Sequence, residues 1–182
     1  MNGESNRKFR INSILLACLL LLPTLARGAD TQEKKVYSAT AAGDALEAAC
    51  KQAARESKLV FVKSGFPECG WCRIFDRYHG TPEVQNILGK YYVVVAIDTE
   101  NMPDGQTVFS KYAQPGAPSW VIITPQKKVI IDSYGGPQGN VGYPAEPGET
   151  TYYLAALKKA TPAITDDELH TLSQQIQKAR EK

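Results

Sequence analysis

Apolar positions in 43–57 recur at helical spacing, with Leu46, Ala49, Cys50 and Ala53 on one face, and predict a first helix. The short β-branched and aromatic run 59–62 then reads as a buried strand reaching Lys63 and Ser64, and Gly65 and Pro67 break it. From Cys69 to Tyr78 the chain can run as a second helix. Thr81 can cap a third, with Pro82 in its first turn and Val84, Ile87 and Leu88 supplying its apolar face. The continuous apolar run 91–97 suits a central strand covered on both faces. A polar loop at 98–105, a short helical piece at 107–113 and a third strand at 119–124 come next. The turn 125–128 leads to an antiparallel partner at 129–134. Residues 135–148 hold five glycines and three prolines and predict a long irregular loop. Helices at 150–159 and 165–182 close the chain, the second opened by a Thr165/Glu168 capping box.

The first 28 residues read differently. Arg7, Lys8 and Arg10 precede an unbroken apolar run, 14–22, and Ala26-Arg27-Gly28 offers small residues before a cut. That pattern predicts an export signal cleaved near Gly28, its apolar core being shorter than the roughly 20 residues a membrane span needs. Residues 29–42 form a polar lead-in with room for a short strand at Val36-Tyr37-Ser38. Losing residues 1–28 removes Arg7, Lys8, Arg10, Arg27 and Glu4, and moves the formal charge from +2 to −1. A near-neutral mature chain has no electrostatic case for nucleic acid or anionic membrane. Four cysteines become three, Cys50, Cys69 and Cys72, which is too few for a disulfide scaffold, and export places them where disulfides persist.

Cys69-Gly70-Trp71-Cys72 carries the candidate chemistry. If the helix starts near Cys69, that thiol meets unpaired backbone N–H groups at the positive end of the helix dipole, which stabilises a thiolate. Cys72 lies one turn along, within reach of a disulfide. A structural disulfide or half a metal site is the competing reading. The chain offers only Cys50, His79 and His170 as further ligands, at no familiar spacing, so neither metal nor cofactor is expected. Cys50, on an apolar helical face, reads as a buried inert thiol, and His79 as a helix-end cap. Lys63 either lowers a thiol pKa or pairs with Glu68 or Asp76. The loop 135–148 either shapes a groove or is a tolerated insertion.

Strand, C-x-x-C helix, strand, helix, X-Pro, hairpin and helix occur in the order of the thioredoxin-like superfamily, which the chain resembles over roughly 43–160. The stretch 58–72 is similar to exported thioredoxin-fold proteins and thiol–disulfide interchange proteins. Thr81-Pro82-Glu83-Val84 with 92–98, and Gly116-Ala117-Pro118-Ser119, resemble that family's second-helix, third-strand and cis-proline regions. The resemblance implies an α/β thioredoxin-like fold, a central mixed β-sheet flanked by helices, with 161–182 as a C-terminal helical extension. It implies Cys69 and Cys72 as catalytic residues forming a redox-active disulfide, with Trp71, Ala117 and Pro118 binding substrate. The function implied is an exported, periplasmic-type protein disulfide oxidoreductase working through a mixed disulfide, reducing more than oxidising. Protein or peptide disulfides would be substrates and a membrane-embedded thiol reductase the electron donor. A dithiol oxidase or isomerase, and a redox-silent binding module, are the alternatives. Lys63 stands where thioredoxins often carry a buried acid, and Gly70-Trp71 matches no well-known reductant, oxidant or isomerase, so the direction of electron flow is not legible.

Overall fold

The computed structural model describes residues 40–136 and 138–181; the expected export signal at 1–28, most of the lead-in and the Val36-Tyr37-Ser38 strand lie outside the described residues. Strand β1 (Leu59–Gly65) buries every side chain from Val60 to Ser64, because both its faces are covered; four of the five are apolar or small, and the fifth, Lys63, is buried with its ammonium on Asp76. It pairs in parallel with β2 (Tyr92–Asp98) and antiparallel with β3 (Ser119–Ile123), and β3 pairs antiparallel with β4 (Val129–Asp132). The order is β2-β1-β3-β4, a mixed four-stranded sheet.

Period-two alternation splits the core between the two faces. On one, Val60, Val62, Val121 and Ile123 meet Leu46, Cys50 and Ala53 of α1 (Ala42–Glu56) and Val108 and Phe109 of α4 (Gly105–Phe109). On the other, Phe61, Trp120 and Ile122 meet Phe75 and Tyr78 of α2 (Gly70–His79), Val84 and Leu88 of α3 (Pro82–Tyr91) and Tyr153 and Leu157 of α5 (Pro147–Ala160). Leu172, Ile176 and Ala179 of α6 (Asp166–Arg180) belong to this second cluster, so the C-terminal helix packs on α2, α3 and α5.

Several expectations shift. The run 91–97 was read as a central strand, yet among the described residues β2 has β1 on one side only, with Val94 39% exposed and Ala96 also exposed. A continuous apolar run specifies a strand but not its place in the sheet. The β4 strand stops at Asp132, whose carboxylate accepts from the Tyr134 N–H and turns the chain into a 3₁₀ turn at Ser133–Gly135. Thr81 holds the N-cap position of α3, but its hydroxyl makes no cap bond there and instead donates backward to the Tyr78 carbonyl in the last turn of α2. Helix α5 starts at Pro147, three residues earlier than expected, because Glu146 and Glu149 form a capping box. The Thr165/Glu168 box forms as expected.

Glu168 also anchors α6 to α3. Lys90 Nζ and the Tyr91 hydroxyl donate to its carboxylate at 2.7 and 2.8 Å, and its side chain is only 13% exposed. The Lys90 ammonium, followed by the Thr165 backbone N–H, holds the Glu168 carboxyl down at about 2, from an ordinary 4.5. A depressed carboxyl stabilises the fold fully above its unfolded pKa and loses that contribution as pH falls through its folded one. The Tm advantage of the wild type over Glu168→Gln is therefore expected to be full at pH 6 and to vanish between about pH 4.5 and 2. Parallel thermal melts of the two proteins read it directly.

Candidate active site

Ser64 and Gly65 end β1 and set the floor of the site. The Ser64 hydroxyl lies 3.2 and 3.3 Å from the Gly116 and Ser119 carbonyls, tying this strand end to the loop before β3. A Cβ on Gly65 would sit 3.0 Å from Cys72 Sγ, so the glycine that punctuates the strand also lets the second cysteine lie against the backbone. The turn 66–68 closes with the Cys69 N–H on the Phe66 carbonyl, and Arg73 donates to the Pro67 carbonyl at 3.1 Å.

Helix α2 begins immediately after. Cys69 is its N-cap, and Sγ accepts from the Cys72 backbone N–H at 3.1 Å, one of the orphan donors of the first turn. Cys69 and Cys72 form a disulfide, with Cα atoms 5.2 Å apart. The two cysteines differ in access: Cys69 is half-buried, whereas Cys72 is 5% exposed. Trp71 between them is 48% exposed, and its indole stacks on the Tyr143 ring at 5.9 Å. Trp71 thus packs on the loop and remains half exposed to solvent.

The Ala117–Pro118 peptide bond is cis. The loop 135–148 folds against it. A Cβ on Gly142 would lie 2.0 Å from the Pro118 carbonyl oxygen, so only glycine permits this approach. Asn140 Nδ2 donates to the same carbonyl at 3.0 Å. Behind them the Trp120 indole N–H donates to the Val141 carbonyl and the Val141 N–H to the Ser133 carbonyl, each at 2.7 Å. The Tyr143 hydroxyl donates to the Ile176 carbonyl of α6, and burial pushes it up to about 12. The loop is therefore a built wall. Together with Trp71, Ala117, Pro118, Glu149 and Arg180, its Tyr143 lines a groove of about 330 Å³.

Lys63 is buried beneath this surface and donates to Asp76, one turn along α2 from Cys72; Glu68, the other expected partner, is exposed. Its ammonium also lies 5.8 Å from the Phe75 ring centroid. His79 is buried among Phe61, Phe75 and Tyr78, and exposed His170 contacts Gln174 on α6. Cys50 lies in the core on the opposite face of the sheet, where burial pushes its thiol up. Among the described residues no group of three or more His, Cys, Asp or Glu is placed to hold a metal ion. Tyr143, Asn140, Gly142, Glu149 and Arg180 were not singled out from the sequence. The glycine- and proline-rich composition of 135–148 was the only signal for the first three, and Arg180 had none.

The family model described as "Protein of unknown function, DUF255", a thioredoxin-like DsbH model, matches residues 43–177. The chain belongs to the DUF255 family. That match takes in every strand, the C-x-x-C helix and nearly all of α6, and with the sheet order it makes the fold thioredoxin-like. Among curated proteins, spermatogenesis-associated protein 20 of Rattus norvegicus and of Homo sapiens are each 27% identical over 105 residues. That alignment covers 54% of this chain but 12% of theirs, so the chain spans a small part of the relatives it matches. A disulphide isomerase from Xylella fastidiosa Temecula1 overlays at TM-score 0.49 and 18% identity, covering 76% of this chain and 92% of that one. A DsbH oxidoreductase overlays at 0.43 and 19%, covering 68% and 83%.

Proposed function

We propose that this DUF255 member is an exported thiol–disulfide oxidoreductase that reduces protein or peptide disulfides. The observation that carries the reading is the unequal access of the two cysteines at the start of α2, Cys69 half-buried and Cys72 shielded. In the reduced protein the Cys69 thiolate, held by the Cys72 N–H and the helix dipole, attacks a substrate disulfide. One substrate sulfur leaves as thiolate and the other stays bonded to Cys69. The Cys72 thiolate then attacks Cys69 Sγ, the second substrate sulfur leaves, and each leaving thiolate takes a proton. The substrate gains two electrons and two protons, and the protein is left with the Cys69–Cys72 disulfide. A dithiol protein of more reducing potential, placed in the membrane, regenerates it. Trp71 and the backbone at Ala117 and Pro118 bind the substrate chain.

The equilibrium potential of the Cys69–Cys72 pair in glutathione or dithiothreitol buffers tests the direction. A value near about −270 mV is expected, and one near about −120 mV would make the protein a disulfide donor instead. A disulfide that neither reductant opens would leave a binding module on the same scaffold.

A further inference from the structure

The groove that Trp71 of the C-x-x-C turn lines together with Pro118 carries charges that the exchange of sulfurs does not use. Glu146, Glu149 and Arg180 line it together with Trp71 and Pro118. Arg180 is already engaged, donating to the Ala145 carbonyl at 3.0 Å and lying 3.5 Å from Glu146 Oε1. Glu149 uses Oε2 to accept from the Glu146 backbone N–H. Two carboxylates against one guanidinium leave the lining net negative, and the start of α5 offsets this by only about half a charge. The Trp71 indole adds a solvent-facing π surface, which attracts a cation. The volume lies at the small end of ligand sites, roughly 300–1,000 Å³, and suits a single long side chain.

We infer that this groove takes the side chain of a lysine or arginine next to the substrate cysteine that is attacked. The aliphatic stem lies along Trp71 and Pro118, and the cationic head meets Glu149 and Glu146. An acidic side chain there meets two carboxylates and a guanidinium already in use. The inference rests on the redox reading above and names its substrate class.

The test uses short peptides whose cysteine is joined by a disulfide to a chromophoric thiol, identical except for Arg, Gln or Glu beside that cysteine. Each rate with the reduced protein is divided by the rate of the same peptide with dithiothreitol. The Arg peptide is expected to react about 10-fold faster than the Gln peptide, the Glu peptide slowest, with the preference shrinking in salt. The double variant Glu146→Gln/Glu149→Gln is expected to bring the ratio near one, because glutamine keeps the hydrogen bonds of the capping box while removing both charges. Glu83→Gln, on the exposed start of α3, is expected to keep the ratio. Equal rates for all three peptides, a faster Glu peptide, or a preference that survives the double variant would overturn the inference. If the wild type reduces no peptide, the redox reading alone falls. Calorimetry with S-methylcysteine peptides then decides the groove: tighter binding of Arg than Gln supports it, and equal or absent binding overturns it.

Discussion

Replacement of Cys72 by Ser is expected to leave the reduced protein covalently joined to its substrate. Cys69 keeps its N-cap position and can still open a substrate disulfide, but no second thiol remains to displace the product. The complex should accumulate as a species that dithiothreitol dissolves, visible on a non-reducing gel and by mass spectrometry. Replacement of Cys69 by Ser is expected to bring insulin-disulfide reduction to the uncatalysed background and to trap nothing, because Cys72 is shielded against Gly65. If Cys69→Ser traps substrate and Cys72→Ser does not, the roles of the two sulfurs are reversed. If both variants reduce insulin as well as the wild type, the proposed chemistry is wrong. Neither change removes a large core side chain, so both proteins should stay folded, and far-UV circular dichroism checks that.

The largest stability effect is expected from Trp120→Ala. Trp120 is fully buried as the second residue of β3 and stacks on Phe61 at 5.8 Å, with Tyr153 edge-on at 5.5 Å. Emptying that volume costs about 3–5 kcal/mol. It also strips the Val141 carbonyl of its indole donor, which costs about 1–3 kcal/mol unless water enters. A Tm drop of roughly 10–20 °C follows for a domain of this size. Trp120→Phe separates the two contributions, since it keeps a ring in the stack and loses only part of the packing and the hydrogen bond. The Phe variant is therefore expected to be milder in melting yet still to loosen the Val141 to Tyr143 wall, seen as a slower reaction with peptide disulfides. A Tm drop for Trp120→Ala below about 3 °C would mean that the aromatic stack contributes little to the fold.

What could be read in advance follows from the range of each interaction. The 59–62 strand, the break at Gly65 and the helix from Cys69 are set by neighbours a few residues apart, so spacing and residue type suffice. The Thr165/Glu168 box is equally local. Among the described residues β2 stands at the sheet end; that place depends on which partners the chain brings to it, and an apolar run holds no record of them. The Lys63–Asp76 pair joins a strand to a helix across the C-x-x-C turn, so the sequence could offer Asp76 and Glu68 only as alternatives. Tyr143, Glu149 and Arg180 meet Trp71 through the packing of α5 and α6 on α2. Nothing in the local pattern of 135–148 or 165–182 announces that meeting. The cysteine pair at the helix start was legible because its spacing is local, and the groove was not because it is assembled from distant parts.

The tie between Tyr143 and the Ile176 carbonyl has a consequence for the order of events during synthesis. A polypeptide emerging from its amino end displays both cysteines long before α6 exists to receive that hydroxyl or to bring Arg180 into place. On the proposed chemistry, the nascent dithiol would be competent before it is selective. Until that helix docks, a passing disulfide would meet the bare pair of sulfurs, and the proposed discrimination among partners would arrive only with the packing of α6.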